Sequence, residues 1–571
     1  MRPLDWVLLG AFLGFVAVYG IWKTRGKKDI NGYFLAGRET PWYVITVSIM
    51  ATQASAITFL STPGQAYVDG MRFVQFYFGL PVAMVILSVT AVPVFHKLKV
   101  YTAYEFLETR FDLKNRVLAS VLFLIQRGLA AGFTILAPAL IISVILGWDF
   151  RLTIFLTGGL VILYTAAGGT EAVSKTHLLQ LGIVTAGMGA ALFMVFHRLP
   201  PDISLTDALH VAGKLGRMNV VNFGFAWADR YNFWSGLIGG GFLALSYFGT
   251  DQSQVQRYLT GRSVAQSRLG LLANGVVKVP MQFIILFIGV LIFVFYQFVT
   301  PPLFFNPVET AQVKSGAYGR DYARLESEFG RLGGEKQGQL RDMLAAIKGR
   351  NEGALETALQ KLRLTREAEA SLRKEALGLI KKQDPLAETN DTNYIFLSFV
   401  TRFLPAGLVG LILAAILSAA MSSSAAELNA LASVTVIDIY RRLRRREAPE
   451  RHYLKVSRLA TVFWGLYAIA FAQFANHLGS LVEAVNKVGS LFYGTILGIF
   501  LVAFYFRKIG GRATFVAALA AEAAVLACNF FTQIPWLWFN VIGCLVLVAL
   551  AAILNPFLPA GRPSEPLASR S

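Results

Sequence analysis

Residues 411–446 read LILAAILSAAMSSSAAELNALASVTVIDIYRRLRRR. This apolar run is long enough to cross a bilayer, carries three consecutive hydroxyls near its middle (Ser422, Ser423 and Ser424), and closes on arginines that cannot enter lipid. Hydroxyls at this density are uncommon on a lipid-facing helix. They admit two readings: small residues let membrane helices pack closely, and hydroxyl oxygens are hard ligands for a small cation. The segment alone leaves both open.

The rest of the chain sets the class. Hydrophobic residues make up 55% of 571 residues and charged residues 15%, with a mean hydropathy of +0.54, the composition of an integral membrane protein. A net charge of +19 raises nucleic-acid binding, but its placement argues against it. Lys23 to Lys28, Lys97 and Lys99, Arg257 and Arg262, Arg441 to Arg446, and Arg507 to Arg512 mark alternate helix ends, as the positive-inside rule requires. The two cysteines, Cys528 and Cys544, lie in apolar segments, which excludes a disulfide framework or a Cys-based metal site. Residues 4–22 read as a first spanning helix rather than a cleavable signal, because the basic cluster follows the apolar run.

At roughly 20 apolar residues per crossing, about thirteen spans are expected. They fall near 4–23, 42–61, 74–96, 117–147, 151–168, 177–197, 233–256, 268–298, 395–438, 456–475, 480–506, 512–530 and 535–556. The N-terminus is then outside and the C-terminus cytoplasmic, with every basic cluster on the cytoplasmic side. The expected division is a transmembrane part at 1–298, an extracytoplasmic helical insertion at 299–392, a second transmembrane part at 393–556 and a cytoplasmic tail at 557–571. In the insertion, Leu340, Leu344 and Ile347, then Leu355, Leu359 and Leu362, recur at helical spacing, with Gly333–Gly334 and Gly349 to Gly353 read as turns.

Two spans look broken. The second holds Thr52, Gln53, Ser55, Thr58, Ser61 and Thr62 before Pro63–Gly64, and the seventh is Gly-rich with Gly249 beside Thr250 and Asp251. Polar groups at membrane depth must line protein or water, and helix breaks there expose the carbonyls and helix ends that hold ions and solutes in secondary transporters. Close packing is the alternative for either segment alone. The pair lies five spans apart, as two five-helix repeats would place it.

The chain resembles the sodium:solute symporter family, which includes the sodium/glucose cotransporters, over essentially everything except 306–390. The matching strings are GYFLAGRETPWY (32–43), ATQASAITFLSTPGQAY (51–67), YTAYEFLETRFD (101–112), GGTEAV (168–173), YFGTDQSQVQRYL (247–259), Lys278-Val279-Pro280, AAMSSSAAELNA (419–430) with VIDIYRR (436–442), and EAVNKVGSLFYGTILG (483–498). The first core helix looks most like the bacterial sialic-acid symporter branch. The resemblance implies an all-α fold of the leucine-transporter type: a 5+5 inverted repeat with one extra N-terminal and two extra C-terminal helices. It also implies sodium-driven uptake by alternating access. Its sodium site would comprise the carbonyls of Ala51, Ala54 and Ala419 and the hydroxyls of Ser422 and Ser423. Five neutral oxygens suit a weakly held monovalent ion, whereas a divalent site recruits carboxylates. The co-transported ion is Na+, and the expected partners are a small solute, sodium and the bilayer, with no nucleic acid.

One departure bears on stoichiometry. Some two-sodium members carry an aspartate after the GG-x-x-x-V string; here that position is His177, near Lys175, so one sodium per cycle is expected. His177 is otherwise a bystander at the cytoplasmic end or the seat of proton sensitivity. Positions that hold the ring in sugar-transporting relatives map to Thr58, Tyr77, Ala244, Lys278 and Asn486, with Tyr247 as inner gate, while the acidic and second amide partners are missing. That gap disfavours a neutral hexose. Gln53, Ser55 and Arg127 complete the expected substrate set, although Arg127 stands three residues before the branch's carboxylate-pairing position, here Ala130, and ion pairing is its other reading. The expected substrate is a sugar acid, another carboxylate or a polyol, taken up across the inner plasma membrane. A sodium channel would need a continuous pore without a gating aromatic. A membrane enzyme acting on lipid-linked substrates would need catalytic acids facing a cleft, and Asp251, Glu427, Asp438 and Glu483 fall mostly toward helix ends. No P-loop, H-E-x-x-H or G-x-S-x-G string occurs, which leaves ATP-driven transport and common hydrolases unsupported.

Overall fold

The computed structural model describes residues 1–24, 38–444, 448–475 and 479–558, without the side chains of residues 13, 16–24, 164 and 167–179. Described helices are α1 (Pro3–Thr24), α2 (Trp42–Gln53), α3 (Ala56–Asp69), α4 (Leu80–Val89), α5 (Ala91–Leu98), α6 (Glu105–Arg110), α7 (Leu113–Leu146), α8 (Phe150–His197), α9 (Leu205–Lys214), α10 (Gly240–Gly249) and α11 (Gln252–Leu259). They continue with α12 (Val264–Phe298), α13 (Pro307–Ser315), α14 (Gly319–Lys348), α15 (Glu352–Gln383), α16 (Ile395–Phe403), α17 (Leu408–Val434), α18 (Glu450–Ala475), α19 (Leu481–Tyr505), α20 (Gly511–Phe531) and α21 (Leu537–Leu554).

Among the described residues nine helical runs are long and apolar enough to cross a membrane, and Pro3–Phe12, Phe150–Leu163 and Ser235–Gly249 are shorter apolar helices. The run Ala56–Leu98 holds the second half of one pass and all of the next, so with Trp42–Gln53 as the first half the total is thirteen passes. Burial ranks them. The apolar window of Leu408–Arg444 is 83% buried and that of Gly511–Phe531 only 28%, so α17 is central and α20 faces lipid.

Both expected breaks are present. Between α2 and α3, Ala54 (ψ 67°) and Ser55 (ψ 177°) leave the helical region. The Ser55 N–H is thereby turned away from the Ala51 carbonyl, and the Thr58 N–H bonds Ser55 rather than Ala54. In the seventh span the break falls at Thr250–Asp251, where Asp251 (ψ 117°) caps α11 by accepting from the Ser253 N–H. The second break is therefore built on an aspartate.

Three expectations need correction. The spans expected at 151–168 and 177–197 form one helix of 48 residues, α8. A straight helix of that length would run about 72 Å. Both ends nevertheless lie on the insertion's face. The Arg151 carbonyl accepts from Gln473 at the end of α18, and Asp202, just beyond α8, pairs with Arg341 of the insertion at 3.0 Å. The two halves therefore run antiparallel, and the pass count stands. Secondly, the window 395–438 divides into α16 and α17 at Gly407, whose φ of 88° favours glycine.

Thirdly, Gly333–Gly334 is no turn; it lies inside α14. A Cβ on Gly333 would meet the Thr300 hydroxyl at 2.7 Å, so the glycine serves close packing of the insertion on its own stem. The turn between α14 and α15 comes at Gly349–Asn351, where Arg350 has φ 53°. The two helices pair along Leu340, Leu344 and Leu362, with Lys336 buried against Glu369 at 2.7 Å. Thr392, on the returning leg, abuts Gly64 of α3, where any Cβ would strike its carbonyl.

Candidate functional site

A cavity opens between the two broken helices. Every residue of the expected substrate set lines it: Gln53, Ser55 and Thr58 from the first break, Tyr77, Arg127 from α7, Tyr247 from α10, Lys278 from α12 and Asn486 from α19. Ala244 lines it too. The clustering follows from the breaks, which turn the polar residues of two passes toward a shared space.

Within this wall the two cations differ. Lys278 is 1% exposed, its ammonium 6.0 Å from the centre of the Tyr77 ring, and among the described residues it makes no ion pair or hydrogen bond. An ammonium in that position lacks the partner that buried charge demands. Arg127 is the opposite case. One nitrogen donates to Glu427 at 3.1 Å, the other to Asp251 and to the Tyr493 hydroxyl, and the guanidinium lies 5.4 Å from the Tyr247 ring centre. The Tyr493 hydroxyl also donates to Asp251 at 3.0 Å, and Thr134 lies 2.9 Å from Glu427. Arg127 thus lines the cavity with its charge already matched twice over.

Glu427, Thr134, Gln126 and Tyr493 were absent from the expected set. Glu427 does not sit toward a helix end but deep in the Leu408–Arg444 run. Helical spacing carried a usable clue: Glu427 follows Ser423 by four residues and Tyr493 follows Asn486 by seven, so each shares a face with a predicted residue.

A much smaller pocket is lined by Ala51, Ala54 and Phe59 at the first break, Ala419 and Ser422 of α17, and Gln180, Leu181 and Val184 of α8. Four of the five residues expected to hold sodium therefore line one pocket. The fifth, Ser423, is buried on α17 but spends its hydroxyl proton on the Ala419 carbonyl at 2.8 Å. The Ser422 hydroxyl is buried without a partner among the described residues. The oxygens here are neutral, the donor set that suits a monovalent cation. The side chain of His177 lies outside the described residues, so its expected role is not located.

Paired helix breaks around a polar cavity, with a small pocket beside one of them, are the architecture of a secondary transporter. The sequence matches the model of the sodium:solute symporter family over residues 33–323 and 379–520. It is 25% identical over 565 residues to the sodium/sialic acid symporter SiaT of Proteus mirabilis, covering 98% of this chain and 96% of that one. Human sodium-coupled monocarboxylate transporter 1 is 26% identical over 533 residues, 93% of this chain and 74% of the relative. The fold matches that of a Na+-coupled sialic acid symporter solved in a substrate-bound outward-open state, with a TM-score of 0.74, 22% identity, and 99% and 100% of the two chains covered. The chain belongs to the sodium:solute symporter family. It is a multi-pass, sodium-coupled symporter of the leucine-transporter type and not an enzyme.

Proposed function

We propose that this symporter imports a small organic monocarboxylate, such as a sugar acid, together with one sodium ion. The observation that carries the reading is the contrast between the two cations of the large cavity. Lys278 faces it unpaired among the described residues, while Arg127 is held by two carboxylates. One unmatched positive charge calls for one negative charge from the solute. Gln53, Ser55, Thr58 and Asn486 supply polar contacts for hydroxyls or amides along its length. Sodium sits in the small pocket, on the carbonyls of Ala51, Ala54 and Ala419 and the hydroxyls of Ser422 and Ser423. Because the first break contributes to both cavities, ion and solute bias the same helix. The insertion at 299–392 lies outside and the basic helix ends lie in the cytoplasm, which puts the protein in the inner plasma membrane with its N-terminus outside.

Purified protein in liposomes tests the reading. Sodium-driven uptake of a labelled sugar acid or monocarboxylate is expected, competed by other monocarboxylates and not by neutral hexoses or polyols. Lys278→Met is expected to abolish it while sodium binding persists. Efficient uptake of a neutral sugar, unchanged in Lys278→Met, would overturn it.

A further inference from the structure

The small pocket has a wall that the five-ligand description leaves out. Gln180, on the second half of α8, is 3% exposed and lines the pocket beside Ala51, Ala54, Ala419 and Ser422. Its amide is oriented: Nε2 donates to the Ser418 hydroxyl at 3.1 Å. That bond leaves Oε1 buried with no hydrogen-bond partner among the described residues. The Ser422 hydroxyl, on α17, is likewise unpartnered among the described residues, and the rest of the lining (Phe59, Leu181 and Val184) carries no side-chain donor. Buried polar atoms in native proteins are almost always satisfied. Two orphaned oxygens on residues that line one pocket, beside carbonyls released by a helix break, lack a cation more than they lack a donor.

Resting on the sodium-site reading above, we propose that Gln180 Oε1 is a sodium ligand in this chain, contributed by α8. Ser418 acts as its positioning residue. The amide oxygen is neutral, so it adds a contact without adding charge and keeps the ion releasable in each cycle. It also changes what sodium holds together. With Gln180 in the shell, the ion bridges the α2–α3 break and α17 to α8, so its departure frees three elements rather than two. Ser423, whose hydroxyl proton is committed to Ala419, becomes the weaker of the two serine ligands.

The test is sodium binding itself, read on purified full-length protein without substrate. Titration with NaCl at constant ionic strength (choline replacement) is followed by intrinsic fluorescence and by competition against radioactive sodium. Three variants are compared: Gln180→Met, Gln180→Glu and Ser422→Ala. Gln180→Met should raise the half-saturating sodium concentration about tenfold or more, equivalent to about 1.4 kcal/mol. Gln180→Glu keeps an oxygen at that point but removes the N–H, and should bind sodium at least as well as the parent. If Ser422→Ala weakens binding while Gln180→Met leaves it unchanged, the glutamine is not a ligand and the proposal is overturned. Loss of binding in Gln180→Glu equal to that in Gln180→Met would also overturn it, because the N–H would then be the group that matters. If Ser422→Ala does not alter sodium binding, the pocket is not the sodium site and both readings fall together. Should Gln180→Met not fold, the comparison of Gln180→Glu with the parent decides.

Discussion

Arg127 on α7 reaches Glu427 on α17 at 3.1 Å across 300 residues of chain, and with its other nitrogen it holds Asp251 at the second helix break. One guanidinium between two buried carboxylates ties three core elements together beside the large cavity. Removing a buried charge from such a cluster leaves its partners uncompensated, at a cost of about 3–5 kcal/mol. Arg127→Met should therefore lower the unfolding midpoint sharply in detergent. Glu427→Gln should cost far less, because Asp251 remains to pair the arginine. Equal losses in the two variants would show that the cluster is not organised around Arg127.

The small pocket proposed for sodium separates two neighbouring serines. Ser422→Ala removes a hydroxyl that is unpartnered among the described residues, on a residue lining the pocket, whereas Ser423 bonds its own helix. The expected order for half-maximal sodium in uptake is double mutant above Ser422→Ala above Ser423→Ala above parent, with membrane abundance unchanged. Unchanged sodium dependence in the double mutant would exclude the assignment.

Charge accounting makes the coupling measurable. One sodium carried with a monocarboxylate moves no net charge, so uptake should produce no current and should not respond to membrane potential. Its ceiling under a tenfold sodium gradient is then about tenfold accumulation, from about 1.4 kcal/mol. A neutral solute would also draw about 2.3 kcal/mol from 100 mV and reach roughly 500-fold. A reversal-potential measurement decides between them, and two sodium ions per solute would contradict the single-site account.

At the base of the insertion, outside the spans, Glu388 is buried beside Glu309 and accepts a hydrogen bond from the Tyr394 hydroxyl at 2.8 Å. Burial, the largest influence, pushes its carboxyl up to about 8 from an ordinary 4.5. The folded junction thus holds a proton that the unfolded chain releases above pH 4.5. Its stabilising contribution is complete below pH 4.5 and is lost as pH rises through 8. Hydrogen exchange at the base of α15 should accelerate from pH 5 to 8 beyond the intrinsic chemical rate. Glu388→Gln should remove that excess, and an excess that persists in the variant would point to another group.

The sequence by itself determined most of what is local. Each pass is legible because a bilayer demands about 20 apolar residues, and the breaks are legible as a pair because hydroxyls, amides and Gly249–Thr250–Asp251 at membrane depth must line protein or water. The eight expected substrate-site residues and four of the five expected sodium ligands converge for the same reason: family strings and broken helices point to positions along the chain, and those positions face inward. Partnership was not legible. Nothing in the order of residues says that Arg127 meets Asp251 and Glu427, 124 and 300 positions away, or that Lys278 meets no carboxylate among the described residues. Gly333–Gly334 looked like a turn because glycine weakens helices, and only Thr300, packed against it from 33 residues upstream, explains why the helix continues. Gln180 was one more polar residue in an apolar run until α8 packed its amide against Ser418. Such identities belong to the tertiary structure, because burial decides which polar groups must find partners and packing decides which partners are within reach.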